Sequence, residues 1–379
     1  MFDILTLNKI AACGLSRLDP ALFRSGDAFD APDGVIVRSA DMKEMELPAS
    51  LKAIARAGAG TNNIPVDACA EKGIVVFNTP GANANAVKEL TICALFLASR
   101  KIVAGSKWTE TLKGEGDEVG KKVEKGKSQF VGPEIAGKTL AVIGLGAIGV
   151  KVANAALGLG MKIVGYDPFI SEAAKASLDA SVAVETDLRA VLAAADYITI
   201  HCPSTPDTKG MINADSLAGC KDGVRIVNLA RGDLVVSDDL IAAVDSGKVG
   251  AYVTDFPTDG MLCRDGITAL PHLGASTPES EDNCAVMAAD EISDYLVNGN
   301  IRNSVNFPAV FAERSGAQRV CVLSEGDVSG EVAAILPGAK ITSAARKRAY
   351  LVADLADAAD AGAIAKIEAL GGVYAVRVI

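Results

Sequence analysis

The chain has 379 residues, of which 50% are hydrophobic, 4% aromatic and 22% charged, and its formal net charge is −10 at pH 7. This length suits two or three domains that each bury a core, and the acidic balance excludes the basic surface that nucleic-acid binding requires. The eight cysteines are scattered without a C-x-x-C pair, and there are only two histidines. We therefore expect reduced thiols, no disulfide framework and no metal site.

The amino terminus, "MFDILTLNKI", has neither the basic region nor the cleavage site of a signal peptide. The longest apolar stretches, such as residues 140–150, are too short to span a bilayer. The sequence thus predicts a cytoplasmic protein with no membrane partner and no nucleic-acid partner.

Apolar runs alternate with Ala-rich helical segments along most of the chain. In the first hundred residues, strands are predicted at 34–39, 51–58 and 73–80, and helices at 66–73 and 86–100. After residue 138 the pattern repeats, with six apolar runs from "TLAVIGLG" to "ITALPHL". Apolar strands between helices are typical of parallel sheets covered on both faces. We predict an α/β fold with two doubly wound parallel-sheet domains, a Rossmann domain and a flavodoxin-like domain.

Residues 105–132 are polar, rich in Gly and Lys and without a hydrophobic period, and predict an exposed loop or arm. Five lysines lie between residues 113 and 127. Such a run is usually a solvated surface. The alternative is that one lysine reaches an anionic substrate in a neighbouring subunit.

The pattern changes after a Pro- and Gly-bearing linker at 306–318. The remaining segment predicts the order β-α-β-β-α-β, which is that of a ferredoxin-like unit. The predicted domains are therefore a discontinuous substrate-binding domain (1–98 with 287–308), a dinucleotide-binding domain (99–286) and a small carboxyl-terminal domain (318–379).

A glycine motif follows the first apolar run of the second series. Gly144, Gly146 and Gly149 have the spacing G-x-G-x-x-G between a strand and a helix, and the next strand ends at Asp167. This arrangement binds a pyrophosphate at the helix amino terminus, while the acid accepts hydrogen bonds from the adenine ribose. Because Asp167 would repel a 2′-phosphate, the sequence favours NAD over NADP. The alternative is a tight turn with a solvent-facing Asp167.

Three later strands end in residues that could react with a substrate. His201 and Arg231 follow two of them, Asp255 and Asp259 follow another, and His272 follows the last run. Ligands of parallel sheets bind at the carboxyl ends of strands, so we expect these side chains to converge. Taken singly, Arg231 could be a surface ion-pair partner and His272 a satisfied core residue.

The segments "GLGAIG", "YDP", "NLARGDLV" and "PHLGAST" together resemble the D-isomer-specific 2-hydroxyacid dehydrogenases, and the likeness runs from about Arg56 to Phe307. The resemblance implies a catalytic trio of Arg231, Asp259 and His272. Asp259 stands where the family pattern has Glu, one residue nearer to the preceding strand. His272 would act as the general base and Arg231 would hold the substrate carboxylate.

The resemblance also implies binding residues. For the substrate these are Arg56, Ala59, Gly60, Asn83, Arg231 and His272. For NAD they are Thr79, Gly144, Gly146, Ala147, Ile148, Gly149, Asp167, His201, Cys202, Pro203, Leu229, Ala230, Asp255, Gly274 and Ala275. Two alternatives stay open: Arg56 could be an ordinary charge at a strand end, and His201 could be structural.

The implied reaction is the NAD-dependent oxidation of 3-phospho-D-glycerate, a small anionic phosphorylated 2-hydroxy acid, to 3-phosphohydroxypyruvate, the first step of phosphorylated serine biosynthesis. Alternatives are reduction of glyoxylate or hydroxypyruvate, or an NAD-sensing interaction protein. The last domain resembles an ACT domain, but "SEGDVSGEV" lacks the Asn and Pro of the serine-binding stretch. We therefore expect a role in assembly into a homodimer or homotetramer rather than serine feedback.

Overall fold

The computed structural model describes residues 1–379, which divide into two units: residues 1–83 with 277–379, and residues 84–276. None of their helices has both the length and the apolar character needed to cross a bilayer. This division does not test the predicted functional domains (1–98 with 287–308, 99–286 and 318–379), which stay predictions.

The first 83 residues form a five-stranded parallel sheet, whose order β2-β1-β3-β4-β5 is flavodoxin-like. Its elements are β1 (Phe2–Leu7), α1 (Ala12–Leu15), β2 (Phe23–Gly26), β3 (Gly34–Val37), β4 (Ala53–Arg56), α2 (Val66–Glu71) and β5 (Val75–Phe77). Strand β3 is buried along its whole length, as a strand with apolar layers on both faces must be.

The second unit holds a seven-stranded parallel sheet of order β12-β11-β10-β9-β6-β7-β8, in which the predicted Rossmann arrangement is confirmed. Its helices are α3 (Ala84–Ser99), α4 (Ile102–Glu110), α5 (Val119–Gly126), α6 (Ala147–Gly158), α7 (Glu172–Ser177), α8 (Leu188–Ala194), α9 (Ala214–Ala218) and α10 (Ser237–Asp245). Its strands are β6 (Thr139–Ile143), β7 (Lys162–Tyr166), β8 (Ala183–Glu185), β9 (Tyr197–Ile200), β10 (Val224–Asn228), β11 (Val249–Thr254) and β12 (Ile267–Ala269).

The segment 105–132 is helical, so the predicted loop is wrong, although its exposure is confirmed. Helices α4 and α5 and two short 3-10 turns account for most of it, and neither α4 nor α5 has a buried residue. Three of its lysines pair with nearby glutamates, which neutralises much of the positive charge: Lys121–Glu118, Lys122–Glu115 and Lys127–Glu124. These pairs favour the solvated-surface interpretation of the lysine run.

A long helix returns the chain to the first unit. Helix α11 (Pro278–Asn298) begins at Thr277, whose side chain accepts a hydrogen bond from the N–H of Ser280, and ends at Gly299 with φ +75°. Both are standard helix ends. The helix packs on α1 so closely that a Cβ at Gly14 would lie 2.5 Å from the backbone of Ala285.

The last 62 residues form the predicted ferredoxin-like unit, with antiparallel order β14-β15-β13-β16. Its elements are β13 (Gln318–Ser324), α12 (Ser329–Ile335), β14 (Lys340–Ala345), β15 (Ala349–Leu355), α13 (Ala361–Glu368) and β16 (Val373–Val378). One face of the sheet, with Val320 and Val322, packs under its own helices. The other face, with Cys321 and Tyr350, shares a core with Tyr295 of α11. The small sheet is thus covered on both sides.

Candidate active site

The glycine loop between β6 and α6 has the shape that a dinucleotide needs. Gly144 has φ +92°, and a Cβ there would lie 2.7 Å from the backbone N of Cys202. A Cβ at Gly149 would lie 1.9 Å from the carbonyl oxygen of Gly144, so only glycine lets the helix pack on the loop. At Gly146 a Cβ would meet nothing within 4 Å, so the space in front of the loop is open.

The start of α6 carries the residues predicted for the pyrophosphate. Ala147, Ile148 and Gly149 are its first three residues, and no side chain caps the helix at Gly146. Helix amino termini present free N–H groups and a partial positive charge, which suit an anion. The loop and the helix therefore fit the phosphates of NAD.

Asp167 lies just after β7, half-buried beside the glycine loop. Its Oδ2 accepts a hydrogen bond from the N–H of Leu145 at 2.8 Å, and its Oδ1 accepts one from the N–H of Phe169 at 2.9 Å. The carboxylate therefore holds the glycine loop in place, and its binding to the ribose of NAD stays a prediction.

His201 lies after β9 and is half-buried, with its Nδ1 shielded from solvent. Its Nε2 is 2.9 Å from Oγ1 of Thr199, while its Nδ1 is buried without a partner. Burial lowers the pKa of His201 to about 3, so the ring is neutral at ordinary pH. Next to it, burial raises the pKa of the Cys202 thiol to about 11, and Pro203 is exposed. The unpartnered Nδ1 could donate to or accept from a ligand, as a binding role of His201 requires. The contact of Nε2 with Thr199 fits the structural alternative.

Arg231 lies three residues after β10 and is exposed. One of its guanidinium nitrogens donates to the carbonyl oxygen of Ala230 at 2.6 Å, beside the buried Leu229. The turn that carries it is organised by Asn228, which is fully buried. Asn228 donates through Nδ2 to the carbonyl oxygen of Arg231 at 2.8 Å and accepts from the N–H of Ala230 at 3.1 Å.

Sequence reasoning missed Asn228. Its signal is an amide side chain directly after the apolar pair Ile226 and Val227, at the last position of the strand "VRIVN". A polar side chain there is retained only if the turn satisfies its hydrogen bonds, since an unpaired buried amide is costly.

Asp255 lies at the end of β11, 2% exposed. Its Oδ2 accepts a hydrogen bond from the N–H of Gly274 at 3.2 Å, and its Oδ1 has no partner. Burial raises the pKa of Asp255, and the N–H of Gly274 and the charge of His272 oppose that rise. The structure therefore couples Asp255 electrostatically to His272.

The imidazole of His272 is exposed and lies against the ring of Phe256, with the ring centroids 4.6 Å apart. Asp259 begins a short 3-10 turn, is exposed, and makes no hydrogen bond with His272. Ala275, the residue after Gly274, is half-buried. The second unit thus brings His272 near Asp255, and leaves Asp259 unbonded to the imidazole.

Four of the residues predicted for the substrate lie in the first unit with Thr79, namely Arg56, Ala59, Gly60 and Asn83. Arg56 ends β4, and its Nε donates to the carbonyl oxygen of Arg38 at 3.1 Å. Its guanidinium passes over Gly58, where φ is +151° and a Cβ would lie 1.6 Å from Nη1. Only glycine permits this position of Arg56.

Two loops beside Arg56 are held together. The carbonyl oxygen of Ala59, next to the half-buried Gly60, accepts from Nδ2 of Asn78 at 2.6 Å. Thr79 is fully buried with no partner for Oγ1, and Asn83 has a buried Oδ1 with no partner. Unsatisfied buried polar atoms are rare in proteins and are typical of ligand sites.

Comparisons with known proteins find similar sequences. The D-isomer specific 2-hydroxyacid dehydrogenase NAD-binding domain matches residues 92–274. The chain is 36% identical over 287 residues to D-3-phosphoglycerate dehydrogenase of Synechocystis, covering 73% of this chain and 49% of that protein. The chain spans about half the length of such curated relatives.

Solved structures share the fold. NAD⁺-bound 3-phosphoglycerate dehydrogenase of Entamoeba histolytica has a TM-score of 0.62 and 27% identity, covering 80% of this chain and 98% of that one. A glyoxylate reductase from Paecilomyes thermophila has a TM-score of 0.67 and 24% identity, covering 80% and 98%, and shows the fold alone. The second unit therefore contains the NAD-binding domain of the D-isomer-specific 2-hydroxyacid dehydrogenase family.

Proposed function

We propose that this protein oxidises 3-phospho-D-glycerate to 3-phosphohydroxypyruvate with NAD. One observation carries the proposal: in the NAD-binding domain, Arg231 follows β10 and His272 follows β12, the strands on either side of β11. The chain is also 33–38% identical to proteins named D-3-phosphoglycerate dehydrogenase. Ligands of parallel sheets bind at the carboxyl ends of the strands, where both residues lie.

His272 is proposed as the general base that takes the proton of the C2 hydroxyl, since imidazole can exchange a proton near neutral pH. Its exposed position leaves the ring accessible to a substrate. Asp259 is proposed to orient the imidazolium in the substrate complex. Arg231 is proposed to hold the substrate carboxylate through the paired N–H donors of its guanidinium.

NAD, when bound, accepts the hydride that leaves C2 of the substrate. The glycine loop 144–149 would hold its phosphates and Asp167 its adenine ribose. Asp255 and Gly274, which are bonded to each other near His272, would line the nicotinamide end together with His201 at the end of β9. The open space at Gly146 and the unpartnered atoms of His201 and Asp255 support this placement.

Arg56 is proposed to bind the 3-phosphate, with the backbone at Ala59 and Gly60 and the side chain of Asn83 completing the substrate site. The support is that the guanidinium is held over Gly58 by the carbonyl oxygen of Arg38, a position that no other residue at 58 would allow. A preorganised guanidinium loses little entropy when it binds a phosphate.

The test is steady-state kinetics with NAD and a panel of 2-hydroxy acids with and without a 3-phosphate. We expect kcat/KM to favour the phosphorylated acid by at least tenfold and Arg56→Gln to remove that preference. Arg346→Gln, which changes an exposed arginine of the same unit, is the matched control. Equal kcat/KM for glycerate would overturn the substrate, and preferred reduction of glyoxylate would favour the alternative reductase.

A separate measurement tests the assignment of His272 as the general base. His272→Ala should lower kcat on the order of 10²–10⁴-fold, while the affinity for NAD changes little. Near-normal turnover of this variant would remove His272 as the base. Absence of turnover with every acid, together with intact NAD binding, would support the NAD-sensing alternative.

The assembly and the compartment are also proposals. We propose a homodimer or homotetramer in the cytoplasm. Exposed apolar side chains on and beside α3 and α4 support self-association, namely Phe96, Ile102 and Val131. Light scattering coupled to size-exclusion chromatography would test the assembly, and a monomer at micromolar concentration would contradict it.

A further inference from the structure

A cavity of about 670 Å³ lies within the first unit, between α11 and the loop at Gly81–Ala82. Three carboxylates of α11 line it, those of Asp290, Glu291 and Asp294, and Arg302 supplies the only positive charge. Apolar atoms of Val286 and Met287 complete part of the wall. The cavity is therefore acidic at one side and aliphatic at another, and nothing in the proposed dehydrogenation uses it.

Two of the carboxylates already have partners. Asp290 accepts two hydrogen bonds from Arg17, at 2.8 and 3.3 Å. Asp294 accepts from the amides of Asn298 and Asn300, at 2.9 and 3.0 Å, and lies 3.6 Å from Arg302. These two side chains are held in place with their charges largely compensated.

Glu291 is different, because it is only 5% exposed and one of its oxygens has no partner. Its Oε1 accepts a hydrogen bond from Nδ2 of Asn303 at 2.5 Å, whereas Oε2 is buried without a donor. Burial, with a smaller contribution from Asp290, raises the pKa of Glu291 to about 7, against the opposing effects of Asn303 and Arg302. A buried carboxylate oxygen without a donor is costly, so a donor that reached it would be bound favourably.

We propose that this cavity binds a small organic ammonium ion, whose N–H groups donate to Glu291 while its carbon chain packs on Val286 and Met287. Because Asp290 is paired with Arg17 and Asp294 with Arg302, the ionised Glu291 supplies the uncompensated negative charge that attracts a cation. The carboxylates are not arranged as a group that could hold a metal ion. An ammonium carries three donors and no acceptor, which matches an unpaired carboxylate oxygen.

The test uses n-butylamine as the probe and 1-butanol as its neutral match, measured by isothermal titration calorimetry on the full chain. We expect n-butylamine to bind and 1-butanol not to bind. Glu291→Gln keeps the side-chain shape but loses the charge, so the affinity should fall at least tenfold. Glu279→Gln removes an exposed charge from the same helix and should leave the affinity within twofold.

The pH dependence is a further readout. The groups that face Glu291 are Asp290 and Asp294 of α11, Arg302 and Asn303. As the pH falls from 8 to 6, Glu291 takes up a proton while the amine stays charged, so the affinity should fall about tenfold. Equal affinity at the two pH values, equal binding of 1-butanol or unchanged binding by Glu291→Gln would each overturn the proposal.

Arg302→Gln provides a test that does not depend on a change in the buried acid. Its side chain is 57% exposed, so the substitution should be tolerated, and it removes the cavity's positive charge. Binding of n-butylamine should become several-fold tighter. Unchanged or weaker binding would contradict an electrostatic site. Because each readout is direct binding, failure here leaves the proposed dehydrogenation untouched.

Discussion

The backbone N–H of Gly274 donates to Oδ2 of Asp255 at 3.2 Å, and this bond ties the segment that carries His272 to the end of β11. Asp255 is buried, whereas Asp259 is exposed and not bonded to the imidazole. The two acids therefore contribute differently to the site.

Asparagine substitutions of the two acids should separate their roles. Asp255→Asn removes a buried charge beside His272, and we expect kcat/KM to fall on the order of 10²-fold. Asp259→Asn removes an exposed charge that makes no hydrogen bond with His272, so the loss should be tenfold or smaller. The measurement is kcat/KM between pH 6 and 9. A larger loss for Asp259→Asn would reverse this assignment.

Asp167 should affect cofactor affinity more than chemistry. Its two oxygens hold the N–H groups of Leu145 and Phe169, so Asp167→Ala loosens the glycine loop as well as removing the ribose acceptor. We expect KM for NAD to rise at least tenfold, with kcat at saturating NAD within a few-fold of normal. Glu185→Gln, an exposed acid at the end of the next strand, is the control. An unchanged KM for NAD would contradict the placement of the ribose.

His201 should make stability depend on pH. Its pKa in the folded protein, about 3, lies below the unfolded value of about 6.5, so the unfolded chain binds the proton first as the pH falls. Stability is complete above pH 6.5 and is lost as the pH falls towards 3. At pH 5 the loss should be about 2 kcal/mol.

Urea unfolding at pH 7.5 and 5.0 measures this effect. His201→Gln should lose less stability than the unsubstituted protein on acidification, because the titrating group is gone. His272→Gln removes the other, exposed histidine and should retain the dependence that His201 causes. If both variants respond to acid alike, the effect does not come from His201.

The pair Arg319–Asp354 should be a sensitive point of the small domain. The side chains are 0% and 3% exposed, and two hydrogen bonds join them, from Nε at 2.6 Å and from Nη2 at 2.8 Å. Asp354→Asn leaves the guanidinium without its charge partner and should lower the free energy of unfolding by about 3–5 kcal/mol.

Two comparisons sharpen this prediction. The double variant R319M/D354L removes both charges, so it should lose less stability than the two single variants together. The surface pair Arg24–Asp3 is the control, and Asp3→Asn should destabilise the protein much less than Asp354→Asn does. Urea unfolding measures all of these. A loss near 1 kcal/mol for Asp354→Asn would show that the buried pair is unimportant.

Much of the fold could be predicted because buried parallel strands have a strong signal. Strands β6, β9 and β10 are mostly apolar and buried, and each was predicted from its apolar run. Strand β8 was missed because all three of its residues are exposed and carry no hydrophobic pattern. The amino-terminal strands β1 and β2 were also missed, since both mix polar with apolar residues.

The helices between residues 102 and 126 were missed for a related reason. Helix α5 buries nothing, so its stability comes from local pairs such as Lys121–Glu118 rather than from an apolar face. In a segment rich in Gly and Lys, the sequence does not show which lysines will form such pairs, so the helix could not be predicted from them.

The candidate site, like the fold, was predicted from the sequence only in part. The glycine loop and Asp167 follow from residue spacing, because each acts close to its own position in the chain. The bond between Asp255 and Gly274 and the turn around Asn228 depend on how strands approach one another. These contacts cannot be predicted from the spacing of the residues in the sequence.

The doubly covered carboxyl-terminal sheet has a consequence for how such a protein can change by recombination. A module on a flexible tether can be exchanged between genes with no adjustment elsewhere. Here Arg319 reaches the carbonyl oxygens of Asn298 and Ala312, and Tyr350 donates to that of Gly299, outside its own sheet. Any replacement domain would need side chains that make the same hydrogen bonds at the end of α11. The carboxyl-terminal domain and α11 should therefore be exchanged together rather than separately.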